Sequence, residues 1–279
     1  MYTREDVLAR LKATLADGKP IIGSGAGTGI SAKFAEVGGA DLILIYNSGK
    51  FRMGGHGSNA GLLAIGDANG IVVEMGEREV LPVVKHTPVI AGVNGTDPTR
   101  LMPQFLDQLV RMGFSGVINF PSHGIIDGNW RTSLEATGFG YDREVEMIRV
   151  AHERDIFTLS YSFTPADAEA MARAGVDVVV AHMGLTTGGS IGAGASYTKS
   201  LEECAALTKS IKEAARSIND EILVVTHGGP LENPEDAAFV METAGVHGFI
   251  GASTMERLPV ETAISETVAG FKNIRLDRS

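Results

Sequence analysis

The chain has 279 residues, 44% of them apolar and 21% charged, with 35 glycines, a composition that excludes a mostly disordered protein. A net charge of −10 opposes the sequence-independent attraction to phosphate backbones, so no nucleic-acid partner is expected. The one cysteine, Cys204, excludes an internal disulfide and a cysteine-based zinc site; the polar start Met1–Asp6 and the lack of any run near 18 apolar residues predict a cytoplasmic protein with no membrane partner.

Val7, Leu8, Leu11 and Leu15 fall on one stripe, which predicts a helix over Arg4 to Leu15 capping one end of the fold. Short β-branched runs then recur along the chain: Ile21 to Gly23, Asp41 to Tyr46, Pro88 to Val93, Gly116 to Phe120, Ile156 to Ser162, Asp177 to His182, Ile222 to His227 and Val246 to Gly251. Between them Pro103 to Met112, Arg143 to Arg154, Ala166 to Ala174, Leu201 to Ile218 and Pro234 to Ala244 carry helix-period apolar residues. Asp67 to Lys85 fits a helix better than the strand that Ile71-Val72-Val73 suggests. Eight βα units in this length predict an α/β fold, a single (β/α)8 TIM barrel over residues 1–279 with an extra N-terminal helix. The Gly-rich segments Asn47 to Gly61 and Leu185 to Thr198 follow strands, so they are expected as long βα loops over the catalytic face.

The run Gly23-Ser24-Gly25-Ala26-Gly27-Thr28-Gly29 misses the dinucleotide spacing, because Thr28 and Ile30 stand where the last glycine is needed. Ser24 and Gly25 are then candidates for backbone approach to a ligand, or serve conformation alone. Gly228 and Gly229 after the seventh strand, with Gly251 and Ser253 at the eighth, form two turns suited to a phosphate or carboxylate, the alternative being that glycine simply suits tight turns. Met255 to Leu258 would supply a short helix there.

His182 and His227 end neighbouring strands and suit acid/base work; each has the alternative of a hydrogen-bonded core histidine. His123 is a third candidate, while His56, His86, His152 and His247 are read as structural. Asn119 precedes His123, and Tyr161 or its neighbours face inward, but not both. Asp97 before Pro98 is either a helix cap or a carboxylate for base or Mg²⁺ duty. No predicted strand contains a lysine, which disfavours Schiff-base aldol chemistry.

Gly23 to Lys33, Leu44-Ile45-Tyr46-Asn47-Ser48-Gly49, Gly66 to Asn69, Ala91 to Pro98, Asn119-Phe120-Pro121 and His182 to Thr186 together resemble the phosphoenolpyruvate hydrolase-like TIM-barrel family over essentially the whole chain. The resemblance implies a barrel related to the phosphoenolpyruvate/pyruvate domain and a homo-oligomer, for which Phe239-Val240-Met241 beside Ala244 offers an apolar face. Members are also described as predicted TIM-barrel signal-transduction proteins. Phosphoenolpyruvate-mutase relatives hold Mg²⁺ on acidic strand ends; here Asn94 and Asn119 stand there, with Asp97 and Asp127 farther out, which leaves the metal open with Asp97 as its candidate.

These readings converge on an enzyme for a small phosphorylated or carboxylated molecule of the phosphoenolpyruvate/pyruvate type, acting by hydrolysis, lyase chemistry or phosphoryl migration. His182 and His227 share proton transfer in this scheme, Tyr161 donates to a substrate oxygen, Asn119 and Asn47 orient substrate, and Gly228, Gly229, Gly251 and Ser253 hold the anion. The rival is a ligand-sensing or scaffold barrel without catalysis, and metal-dependent aldol chemistry on the histidines is a third reading.

Overall fold

Eight parallel strands pair in chain order and the last closes on the first: β1 (Ile21–Gly25), β2 (Leu42–Ile45), β3 (Val89–Val93), β4 (Gly116–Asn119), β5 (Phe157–Ser162), β6 (Val178–His182), β7 (Leu223–His227) and β8 (Gly248–Gly251). This TIM barrel comes from a computed structural model, which describes residues 1–194 and 197–276. Helices α1 (Arg4–Ala16), α2 (Gly29–Val37), α3 (Asn47–Met53), α4 (Ala68–Met75), α5 (Met102–Met112), α6 (Gly128–Ala136), α7 (Tyr141–His152), α8 (Pro165–Arg173), α9 (Leu201–Ile218), α10 (Pro234–Ala244) and α11 (Arg257–Lys272) complete it.

Strand alternation sorts the side chains into two layers. Leu42, Leu44, Tyr46, Phe157, Leu159, Tyr161, Val178, Val180, Leu223, Val225 and Ile250 fill the barrel interior. Ile43, Ile45, Ala91, Val117, Val179 and Val224 pack with helical residues such as Leu106, Ile148, Met171 and Ile211 in the outer layer. Val7 and Leu11 of α1 join the interior cluster at its lower end, as the stripe in the sequence predicts.

The structure departs from the sequence expectations in four places. β1 runs on to Gly25, because Ser24 and Gly25 pair with Ile43 and Leu44, so both are strand rather than loop. The segment expected as an open loop at Asn47 to Gly61 begins with α3 and enters a 3-10 turn (Ser58–Leu62), with Asn47, Ser48, Gly49 and Arg52 buried. Asn, Ser and Gly are poor helix formers, which hides this helix in the sequence. α6 has no counterpart among the expected helices, and the short helix foreseen at Met255 to Leu258 is the start of the 16-residue α11. In the second Gly-rich segment, Ala195 and Ser196 lie outside the described residues.

Candidate active site at the barrel mouth

Register carries the two predicted histidines to one place: His182 and His227 are direct partners across β6 and β7, in phase with the inward residues Val180 and Val225. Their ring centroids lie 4.7 Å apart. Tyr161, inward on β5, stands 5.0 Å from each ring, and Phe163 stacks on His182 at 4.6 Å. The Tyr161 hydroxyl meets that of Tyr46 at 2.9 Å. Tyr46, Phe120, Tyr161, His182, His227, Arg52, Ser48 and Ser253 line an inner pocket of about 40 Å³.

The two imidazoles are held in opposite tautomers. His182 Nδ1 accepts from the Gly184 N–H at 3.0 Å, so its proton sits on Nε2. His227 Nδ1 lies 2.6 Å from the Ile250 carbonyl, which only accepts, so this nitrogen carries the proton and Nε2 keeps a free lone pair. Burial, with the neighbouring His227 and Lys199, drives His182 well below the usual histidine range. Burial likewise pushes His227 down to about 4, against the bond to Ile250. Both rings are neutral at pH 7, one offering a donor and the other an acceptor. Burial also pushes Tyr46 up to about 12 and Tyr161 well above its usual value, so neither is a phenolate.

Arg52, on α3, has a side chain 2% exposed and is paired with Glu256, equally buried. Its Nε donates to Glu256 Oε1 at 2.8 Å and Nη2 donates to the same oxygen, while Glu256 Oε2 accepts from the Gly27 N–H at 2.8 Å. Among the described residues, Arg52 Nη1 has no hydrogen-bond partner. This pair ties the β1 turn, α3 and the segment after β8 into one frame.

Other predicted residues fall elsewhere, for reasons of parity and packing. Asn119 is out of phase with the inward Ile118, so it points behind the wall: its Nδ2 donates to Glu144 at 2.6 Å and to the Tyr161 carbonyl, and its Oδ1 accepts from the Tyr161 N–H at 2.6 Å. It is fully buried and holds Tyr161 in place without reaching the pocket. Ser24 is likewise out of phase, between Gly23 and Gly25, on which a Cβ would meet Ile250 and Tyr46 in the interior. Gly251 faces outward, where a Cβ would lie 2.7 Å from Met255 Cγ. Gly228 and Gly229 have φ of +77° and +64°, the left-handed region that glycine permits. The Gly229 N–H donates to the Gly184 carbonyl at 2.9 Å, so it is not free for an anion.

Asn47 and Asp97 line a second, outer cleft of about 540 Å³ over β2 to β4, with His123. Burial would raise the Asp97 carboxyl, but bonds from Thr99, Asn69 and Arg100 outweigh it and hold it down at about 2. Its oxygens accept from the Thr99 N–H and hydroxyl, Asn69 Nδ2 and Arg100 Nη1. A carboxylate so saturated does not fit a Mg²⁺ ligand, and among the described residues no three His, Cys, Asp or Glu side chains gather as a metal site. Sequence reasoning missed Tyr46, Arg52, Glu144 and Glu256. Extending the Leu42, Leu44 alternation by one step would have found Tyr46.

The phosphoenolpyruvate hydrolase-like family model matches residues 6–274. The tomato (Solanum lycopersicum) ToMV susceptible protein tm-1(GCR26) is 57% identical over 97% of this chain, which spans only 36% of that protein's length. Among solved structures, 2,3-dimethylmalate lyase, a PEP mutase/isocitrate lyase superfamily member, superposes with TM-score 0.63 at 18% identity, covering 100% of this chain and 92% of the other. Phosphonopyruvate hydrolase, in complex with oxalate and Mg²⁺, superposes with TM-score 0.60 at 18% identity, covering 95% of this chain and 87% of the other. At that identity the likeness is one of fold. The chain itself belongs to the phosphoenolpyruvate hydrolase-like family.

Proposed function

We propose that this barrel is an enzyme acting on a small carboxylated or phosphorylated substrate of the phosphoenolpyruvate/pyruvate type. The observation that carries the proposal is the pair of neutral histidines with opposite tautomers at one pocket. His227 Nε2 takes a proton from substrate or from an attacking water, and His182 Nε2–H donates to the oxygen on which negative charge develops. Arg52 Nη1 holds the substrate anion, with the Ser253 hydroxyl beside it. Tyr161, fixed by Asn119 and Tyr46, forms the floor. No step uses a metal.

Turnover of pyruvate, oxaloacetate and phosphoenolpyruvate, measured beside calorimetric binding, tests this. His227→Ala is expected to lose on the order of 10²- to 10⁴-fold in kcat with a much smaller change in affinity, and His182→Ala to follow it. Wild-type turnover that survives both substitutions overturns the roles. The small volume of the inner pocket favours a second reading, a ligand-sensing barrel, which predicts saturable binding with no turnover.

A homo-oligomer and a cytosolic setting complete the proposal, with residues 1–279 as one domain. The face foreseen on α10 does not support the oligomer, since Val240 is buried against the barrel. α11 does, because Arg257 is its one buried residue and Val260, Ile264, Val268 and Phe271 form an exposed stripe. Ile30, Phe34 and Val37 are also exposed on α2, the helix after neighbouring β1. A second copy of the chain covers these stripes. Light scattering is expected to show a multiple of 29.4 kDa that Ile264→Glu with Val268→Glu reduces to monomer. A monomer mass for the unaltered chain contradicts it.

A further inference from the structure

The outer cleft and the inner pocket meet at Leu62, which lines both, and at the adjacent residues Asn47 and Ser48. Their sizes differ by more than tenfold, about 40 Å³ against about 540 Å³. The inner volume holds on the order of three water molecules, enough for the reacting head of an acid and little else. A larger substrate must extend across Leu62 into the cleft.

The hydrogen-bond inventory of the cleft says what that extension carries. The Thr96 hydroxyl donates to Asn94 Oδ1 at 2.8 Å, the Thr99 hydroxyl to Asp97 at 2.6 Å, and the Ser122 hydroxyl to Glu144 at 2.7 Å. Each of these protons is committed to the protein, so each hydroxyl keeps only acceptor capacity, of which the Ser122 oxygen already spends part on the Gly124 N–H. Asn47 is 4% exposed, and its Nδ2 donates to the Gly61 carbonyl at 2.8 Å. That bond fixes the amide orientation and leaves Oδ1 buried with no partner. An unpaired buried amide oxygen is costly, and a ligand donor relieves the cost.

Arg100 is bound to both Asp67 and Asp97, and no Lys or Arg stands among the described residues that line the cleft, so a second anionic group finds no Lys or Arg there. The Asn94 amide and the His123 ring are the side-chain donors on this wall. Many acceptors beside two side-chain donors match hydroxyl groups, which donate and accept, better than a carboxylate. Phe51, Leu62 and Ile126 supply apolar wall for the carbon chain.

We propose that the outer cleft is a second subsite for a hydroxyl-bearing tail, so that the substrate is a polyhydroxylated carboxylic acid with its acid head in the inner pocket. This rests on the reading of the inner pocket given above. Three probes separate the two: pyruvate, 2-oxohexanoate, and 2-keto-3-deoxygluconate, which matches 2-oxohexanoate in length and adds hydroxyls to the tail. Calorimetry is expected to give 2-keto-3-deoxygluconate an affinity at least about tenfold above 2-oxohexanoate, the worth of two modest hydrogen bonds. Ala64→Trp, at an exposed position on the cleft wall, is expected to abolish that advantage while pyruvate binds as before, which also shows the variant folded. Equal affinities for the two longer acids, or an advantage that persists in Ala64→Trp, overturns the subsite. Pyruvate binding without a hydroxyl advantage defeats the subsite alone. If none of the three acids binds, the inner-pocket reading fails and takes the subsite with it.

Discussion

The two ends of the barrel treat their polar groups in opposite ways. At the lower end, the buried Asp177 carboxylate accepts from Arg4 Nε and Nη2, from the Thr158 N–H and from the Thr158 hydroxyl, while Tyr2 and Arg10 of the N-terminal segment donate to the His86 carbonyl. Every one of those groups is matched by protein. At the mouth, Asn47 Oδ1 has no partner, and His182 and His227 each spend one ring nitrogen on backbone and keep the other. A TIM barrel separates stability from function along its axis, and unmatched groups gather more at the mouth than at the base, where His152 Nδ1 at the end of α7 is the buried exception among the described residues.

Two substitutions of similar cost break that comparison apart. Arg52→Met strands the buried Glu256 carboxylate and is expected to cost about 3–5 kcal/mol, as removing one partner of a buried pair does. Asp177→Ala leaves the Thr158 N–H and Arg4 unmatched and is expected to cost about 3 kcal/mol, less because Arg4 keeps some solvent contact. Urea unfolding measures both. Only Arg52→Met is expected to abolish acid binding in the protein that remains folded; equal loss of binding in Asp177→Ala would show that the two ends are not separate.

Acid sharpens the contrast, because the mouth holds neutral histidines. With His227 at about 4 in the folded chain, against 6.5 for the ordinary group, the unfolded chain binds more protons between those values. Stability therefore rises with pH across that window and is lost as pH falls from 6.5 towards 4, by up to about 3 kcal/mol for a shift of this size. His182 acts in the same direction. His227→Gln is expected to flatten the slope of urea stability between pH 4 and 6.5, and an unchanged slope would place the acid sensitivity in other groups. Asp97 acts in the same direction. Its stabilisation is present above the usual carboxylate range and is lost as pH falls towards 2, a separate and lower window.

The barrel itself is legible because its signals are repetitive: eight β-branched runs, alternating in and out, with helical stripes between. Strand phase then decides which site residues count. His182, His227 and Tyr161 share the inward phase and meet, whereas Asn119, one residue beyond Ile118, has the outward phase and is used by Glu144 and Tyr161 instead. The sequence alone leaves Tyr161 and its neighbours as alternatives because the strand end is uncertain by one residue, and one residue reverses every side chain. Arg52 and Glu256 are not legible for a different reason. They lie 204 positions apart, on segments whose glycines and small residues read as loops, and only closure of β8 on β1 brings them together.

The smallest expected effect lies at the lower end. Thr3 caps α1: its hydroxyl accepts from the Asp6 N–H at 3.2 Å and Asp6 accepts in return from the Thr3 N–H at 2.9 Å. Thr3→Ala removes one half of this capping box and is expected to cost about 1 kcal/mol. For a chain of this size that corresponds to a fall in Tm of roughly 2–4 °C. α1 carries Val7 and Leu11 into the lower layer of the interior, so its fraying loosens the base first. The rings of His182 and His227 sit at the other end of the same strands, supported by Tyr161 and Phe163 rather than by α1. Affinity for pyruvate and the acid-window slope are therefore expected to stay at their wild-type values in Thr3→Ala, read at a temperature well below its transition. A drop in affinity without a drop in Tm would mean that the cap acts on the mouth through the barrel, and the separation between the two ends would have to be given up.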